Sequence, residues 1–205
     1  MQEIYINNKK AAISFKDKDF SQIISTISKS LEKQYRTITH LKINGVDIDG
    51  DLFNFDHNNI SKIEVTVADN NSYGNELLTH AMSILDQVMS LLDDEILQNN
   101  SYSRFFLKKV FDALDVLISI IIKLHNFIDF NQEENRVLLK NMKASEMHLF
   151  SIIKAIQHAV KKDDDIIICD LLEHELTDNL KQWKINIIPQ LRQKISPVNS
   201  SLVKI

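Results

Sequence analysis

The segment Gly74-Asn-Glu-Leu-Leu-Thr-His-Ala-Met-Ser-Ile-Leu-Asp-Gln-Val-Met-Ser-Leu-Leu92 decides the architecture of this chain. Its residues Leu78, Ala81, Leu85, Val88 and Leu92 advance in alternating steps of three and four, the spacing of one face of an α-helix. Between Gly74 and Pro189 there is no glycine and no proline, so nothing in more than half the molecule forces a helix to stop. The three glycines, Gly45, Gly50 and Gly74, all precede this stretch, and the two prolines, Pro189 and Pro197, follow it. The pattern predicts a turn-containing head followed by long helices.

Working forward, the first helix spans about 75–97 and ends at the polar run Gln98-Asn-Asn-Ser101, where Ser101 offers a cap. The second carries Phe106, Val110, Leu114, Leu117, Ile121, Leu124 and Ile128 on one face. Asn131 with Glu134 three residues on reads as a capping box for the third, whose face is Leu138, Met142, Leu149, Ile152, Ile156 and Ala159. Asp163-Asp164-Asp165 places cap oxygens and negative charge at the start of the fourth, with its seam at Cys169, Leu172, Leu176, Leu180, Trp183 and Ile187. Pro189 should end or kink that helix near Asn186. Short connections force neighbouring helices antiparallel, which predicts a four-helix bundle over 75–195.

Working backward, Glu3 to Asn7 alternates polar and apolar residues, and Ala11 to Phe15 repeats the alternation after a four-residue turn, Asn7 to Lys10. Phe20, Ile23, Ile24, Ile27 and Leu31 have helical spacing, with Asp17 or Asp19 as N-cap. Leu41 and Ile43 lead into Asn44-Gly45, the dipeptide suited to a type I′ hairpin turn, and Val46 and Ile48 continue beyond it. A last strand alternates through Ile60, Ile63, Val65 and Val67. In this order of elements, and in the segment Leu41-Lys-Ile-Asn-Gly-Val-Asp-Ile-Asp-Gly50, residues 1–69 resemble a ubiquitin-like β-grasp domain. The resemblance implies a ββαββ fold and no particular activity, because that fold serves many unrelated roles. The chain thus reads as α+β: a β-grasp-like domain over 1–69, a polar junction at 70–74, a helical bundle over 75–195 and a tail at 196–205.

Composition narrows the function. The chain has 205 residues, 44% of them hydrophobic, enough for a real core. A formal net charge of −4 argues against a nucleic-acid protein, which usually carries a basic surplus. The single cysteine, Cys169, excludes an internal disulfide framework and a cysteine-rich zinc site, and a reducing compartment fits. The N-terminus lacks the apolar run of a signal peptide, and Val116 to Ile122 is too short to span a bilayer. The expectation is a cytoplasmic protein with no membrane span.

No catalytic motif stands out. Three clustered glycines allow neither a P-loop nor a dinucleotide fingerprint, and no cofactor is implied. Asp47-x-Asp49-Gly50-Asp51 has the look of a calcium loop, but a loop starting at Asp47 would hold Leu52 and Asn58 where glycine and glutamate are required. Pairs one turn apart (Glu76/His80, His125/Asp129, Asp170/His174, His174/Asp178) lack the Glu-x-x-His pattern of di-metal bundles and read as boundary histidines. Asp170, His174 and Asp178, with Glu173, form the densest ionisable cluster and the alternative reading: a helical-bundle enzyme or metal protein. Ser151-x-x-Lys154 has no partner motif, and Cys169 and Trp183 read as core.

The feature that carries a functional expectation is the second helix. Val116, Leu117, Ile118, Ile120, Ile121 and Ile122 leave only Ser119 polar, whereas a bundle helix buries about three residues in seven. The surplus needs a cover: the head, a second copy or a foreign partner. Val116, Ile118, Ile120 and Ile122 are therefore the expected partner-binding residues, on a non-enzymatic, adaptor- or chaperone-like bundle that accepts an amphipathic helix.

Overall fold

The computed structural model describes residues 3–11, 20–48, 60–98, 102–125, 127 and 133–195. The chain divides between Tyr73 and Gly74 into two compact units. The expected α+β class is what is observed: a five-stranded sheet in the first unit, then mostly helices.

In the first unit, β1 (Glu3–Ile6) and β2 (Lys9–Lys10) form a hairpin whose turn is the two residues Asn7 and Asn8, both at positive φ. The expected four-residue turn is thus tighter, because asparagine tolerates the left-handed region at both turn positions and Lys9 can already pair with Ile6. The rest of the expected second strand, and the Asp17 or Asp19 cap, lie outside the described residues. Helix α1 (Phe20–Glu32) buries Phe20, Ile23, Ile27 and Leu31. β3 (Arg36–Ile43) turns through Asn44 and Gly45, at φ 51° and 83°, into β4 (Val46–Asp47). β5 (Lys62–Asp69) pairs antiparallel with β3 and parallel with β1, giving the order β2-β1-β5-β3-β4. The core of this unit joins the buried face of α1 to Ile4, Leu41, Ile43, Ile63, Val65 and Val67. Asn7 also fastens the far end of β5, donating to Val67 O at 3.0 Å and accepting from Val67 N at 2.7 Å.

The stretch read as a junction is helical: α2 runs Asn70–Gln98, with Asp69 Oδ1 accepting from Ser72 N at its start. Its expected seam, Leu78, Ala81, Leu85, Val88 and Leu92, is buried. Helix α3 (Arg104–His125) is capped by Ser103, whose Oγ accepts from Phe106 N at 3.1 Å; Ser101, the expected cap, lies outside the described residues. Helix α4 (Arg136–Lys161) follows a 3₁₀ turn at Glu133–Asn135, and Asn135, at its cap position, makes no side-chain cap bond. Asn131 and the tail 196–205 lie outside the described residues.

The last helical run departs most from expectation. It comprises α5 (Asp165–Asp170), a π turn (Leu171–Leu176), α6 (Thr177–Gln182), a second π turn (Trp183–Ile187) and α7 (Ile188–Ile195). Asp164 caps it through Ile167 N at 3.2 Å. The π turns follow from the spacing of the core residues. Ile168, Leu172, Leu176, Leu180, Trp183, Ile187, Leu191 and Ile195 are buried, in steps of four, four, four, three, four, four and four. At about 100° per residue, an uninterrupted α-helix would carry that seam about 180° around its axis. Each π turn accommodates roughly one extra residue and sets the seam back by about 100°. Two of them hold it on one face. The second also accounts for Pro189: the helix neither stops nor breaks near Asn186, because the widened turn just before the proline absorbs its missing N–H and its ring.

Candidate functional site

The four expected partner residues separate on α3. Ile120 is 4% exposed and belongs to the core with Leu117, Ile121 and Leu124; Ile118 is half-buried. Val116, 41% exposed, and Ile122, 62% exposed, face solvent. The correction is geometric. The core-facing arc of α3 is wider than a narrow seam and reaches Ile120, which lies only about 60° from Leu117 at 100° per residue. Val116 and Ile120 therefore do not form one outer surface.

A stronger outward feature lies on α4. Lys140, Lys143, Met147, Phe150, Lys154, His158 and Lys161 are all exposed and recur in steps of three and four, a second seam opposite the buried one. Met147 is 64% and Phe150 46% exposed. The only acid on this helix, Glu146, is turned toward α3 and meets His125 Nε2 at 2.5 Å. None of the four stripe lysines is ion-paired to a described residue. In a chain of net charge −4, one helix face is thus cationic and apolar at once. Its spacing is legible in the sequence, but the exposure of Met147 and Phe150 that sets it apart is not.

Beside this stripe a groove of about 290 Å³ runs between α4 and α6, lined by Ala144, Ser145, His148, Asp178, Asn179 and Gln182. Asn179, 3% exposed, donates from Nδ2 to Ser145 O at 3.0 Å and to His148 Nδ1 at 3.3 Å. That fixes the neutral His148 proton on Nε2, which faces Glu175 Oε2 at 3.1 Å. Asn179 Oδ1 and the indole Nε1 of Trp183, one turn on, are buried without a partner among the described residues. Trp183 is core, as expected. In the first unit, a hollow of about 340 Å³ is floored by Ile6, Ile27 and Leu31 and edged by Ser30, Gln34 and Arg36.

The ionisable cluster is dispersed. His174 Nε2 lies 3.9 Å from Asp170 Oδ1, both largely exposed, while Asp178 turns to Lys181 at 3.7 Å. Among the described residues, no group of three or more histidine, cysteine, aspartate or glutamate side chains is placed to hold a metal ion. Glu76 and His80 are exposed, and Asp129 lies outside the described residues. Cys169 is half-buried rather than core. Burial, then Glu173 and Asp165, push its thiol up, which keeps it protonated and a poor nucleophile. Ser151 and Lys154 are both exposed on α4. Asp47, the first residue of the calcium-like stretch, is engaged within the sheet by His40 Nε2 at 2.6 Å and Lys42 Nζ at 3.2 Å. Asp49, Gly50 and Asp51 lie outside the described residues. No described helix is long and apolar enough to cross a membrane.

Against known proteins, the family model described as the TP0873 N-terminal domain matches residues 2–69, the sheet-bearing part of the first unit. No curated protein and no solved structure matches the chain.

Proposed function

We propose that this chain is a non-enzymatic, cytoplasmic protein-interaction module: a β-grasp-like head on a helical unit that holds an amphipathic helix of a partner or of a second copy. The observation that carries the reading is the outward seam of α4, where Met147 and Phe150 stand exposed between lysines that pair with no described residue. Flexible methionine and aromatic side chains on a surface suit adaptable contacts, and the lysines supply steering toward acidic flanks. The strand order β2-β1-β5-β3-β4, with its parallel β1–β5 pair, supports the β-grasp reading of the head. Val116 and Ile122 remain candidates for the rim of such contacts; Ile120 does not.

A photo-crosslinking residue at position 150, installed in the protein's own cells, tests this. A defined adduct that is absent when the probe sits at exposed Lys109 supports the reading. The same smear from both positions, or no adduct from position 150, sinks it.

A further inference from the structure

Independently of the α4 surface, we propose that the hollow in the first unit is a binding site for a small aliphatic carboxylate. Its floor is Ile6, Ile27 and Leu31, against which a wholly polar ligand would lose hydration without return. At about 340 Å³ it sits at the small end of ligand pockets, which run from roughly 300 to 1,000 Å³. Arg36, half-buried, is the single charged residue of the lining. Among the described residues none forms an ion pair or hydrogen bond with its side chain. Asp69, its partner in register across β3 and β5, instead accepts from Ser72 N at 3.0 Å.

The chain reversal between α1 and β3 holds the polar groups at this rim. Tyr35 takes φ 54°, a left-handed conformation uncommon for a bulky residue, and its side chain stands 77% exposed. Its two neighbours, Gln34 and Arg36, both line the hollow. Gln34 N and Tyr35 N return to Leu31 O and Glu32 O, and Asn70 N donates to Tyr35 O at 3.0 Å. The first two bonds occupy carbonyls at the negative end of α1, which would otherwise oppose an anion. The Arg36 fork matches a carboxylate bidentately, and the Gln34 amide and Ser30 hydroxyl supply further donors. One cation meets a monoanion; a phosphate ester would bring nearly a second charge that the lining does not answer. The strands beneath bond sideways to one another and α1 bonds within itself, so the lining offers no open edge to an extended peptide. A free small acid fits better than a chain end.

Amide NMR titration of the full chain with hexanoate, acetate and 1-hexanol tests the site. Hexanoate should bind saturably, with shifts centred on Ser30, Gln34 and Arg36, and at least about tenfold tighter than acetate, whose body is too short to cover the floor. Hexanol, lacking the charge, should bind at least about tenfold more weakly than hexanoate, and Arg36→Gln should weaken hexanoate by a similar factor. Ser30→Phe, at an exposed position, should fill the hollow and abolish binding, with circular dichroism verifying the fold. Lys143→Glu/Lys154→Glu should bind hexanoate as wild type does, which separates this site from the cationic stripe of α4. Shifts that do not saturate, shifts centred away from the hollow, or an Arg36→Gln variant that binds as well as wild type would each overturn the proposal. A leucine-ended tetrapeptide that binds tighter than hexanoate would overturn it in favour of a peptide carboxyl terminus.

Discussion

Deleting His174 from the first π turn should leave the helical unit folded, whereas deleting Lys143 from α4 should destroy it, although both residues are exposed. In α4, removal of one residue rotates everything downstream by about 100°, taking Leu149, Ile152 and Ile156 from burial toward the flank. At roughly 1.5–3 kcal/mol per buried aliphatic side chain, the loss is about 5–9 kcal/mol, comparable with the whole stability of a domain. In the π turn the deleted residue is the surplus one. The downstream core residues keep their phase, and the buried steps become four, three, four, the pattern of an ordinary α-helix. What is lost is an exposed contact of His174 with Asp170 and the bond from Thr177 Oγ1 to Leu172 O, together about 1 kcal/mol. Thermal melts followed by circular dichroism should place the His174 deletion within about 4 °C of wild type. The Lys143 deletion should show no cooperative transition. A His174 deletion that melts as poorly as the Lys143 deletion would refute the phase argument.

Gly74→Ala sets helix propensity, worth up to about 1 kcal/mol in favour of alanine, against a Cβ placed 2.5 Å from Ile195 Cγ2. Overpacking should win, with a net loss of about 0.5–2 kcal/mol in chemical denaturation, and the sign should reverse in an Ile195→Ala background. Asn179→Asp should cost at least about 2 kcal/mol at neutral pH, because a buried carboxylate would face Ser145 O. Its folded pKa would be raised, so the cost is full above that pKa and disappears as pH falls below the unfolded value; urea titrations at two pH values check this. Lys42, and secondarily His40, hold the Asp47 carboxyl below the ordinary aspartate range. Its stabilising effect is therefore present above the unfolded pKa and lost as pH falls through the folded one. A carboxyl NMR titration should move back upward in Lys42→Gln.

Much of the fold was readable because local chemistry and tertiary packing agree. Asn44-Gly45 specifies its turn by backbone freedom alone, and the seams of α2, α3 and α4 lie where period-3.6 spacing puts them. The last helix misleads because three successive steps of four, Ile168 to Leu180, look like a sloppy α pattern, yet they are the mark of a π turn. Ile120 misleads because the width of a buried arc depends on how closely neighbouring helices approach, which spacing on one helix does not encode. The candidate site was the least legible part. Exposure, not composition, separates the α4 stripe from an ordinary solvated face, and spacing along one helix does not encode which of its residues a neighbour covers.

The approach of Gly74 to Ile195 has a consequence for the order in which the helical unit is made. The first residue of the unit touches a side chain more than a hundred positions later, so the contact cannot form until nearly the whole unit has been synthesised. Until then Gly74 lacks that neighbour. Chains emerge at about 5–20 residues per second, so that interval is on the order of ten seconds. The closing of that end of the unit therefore waits on the end of α7.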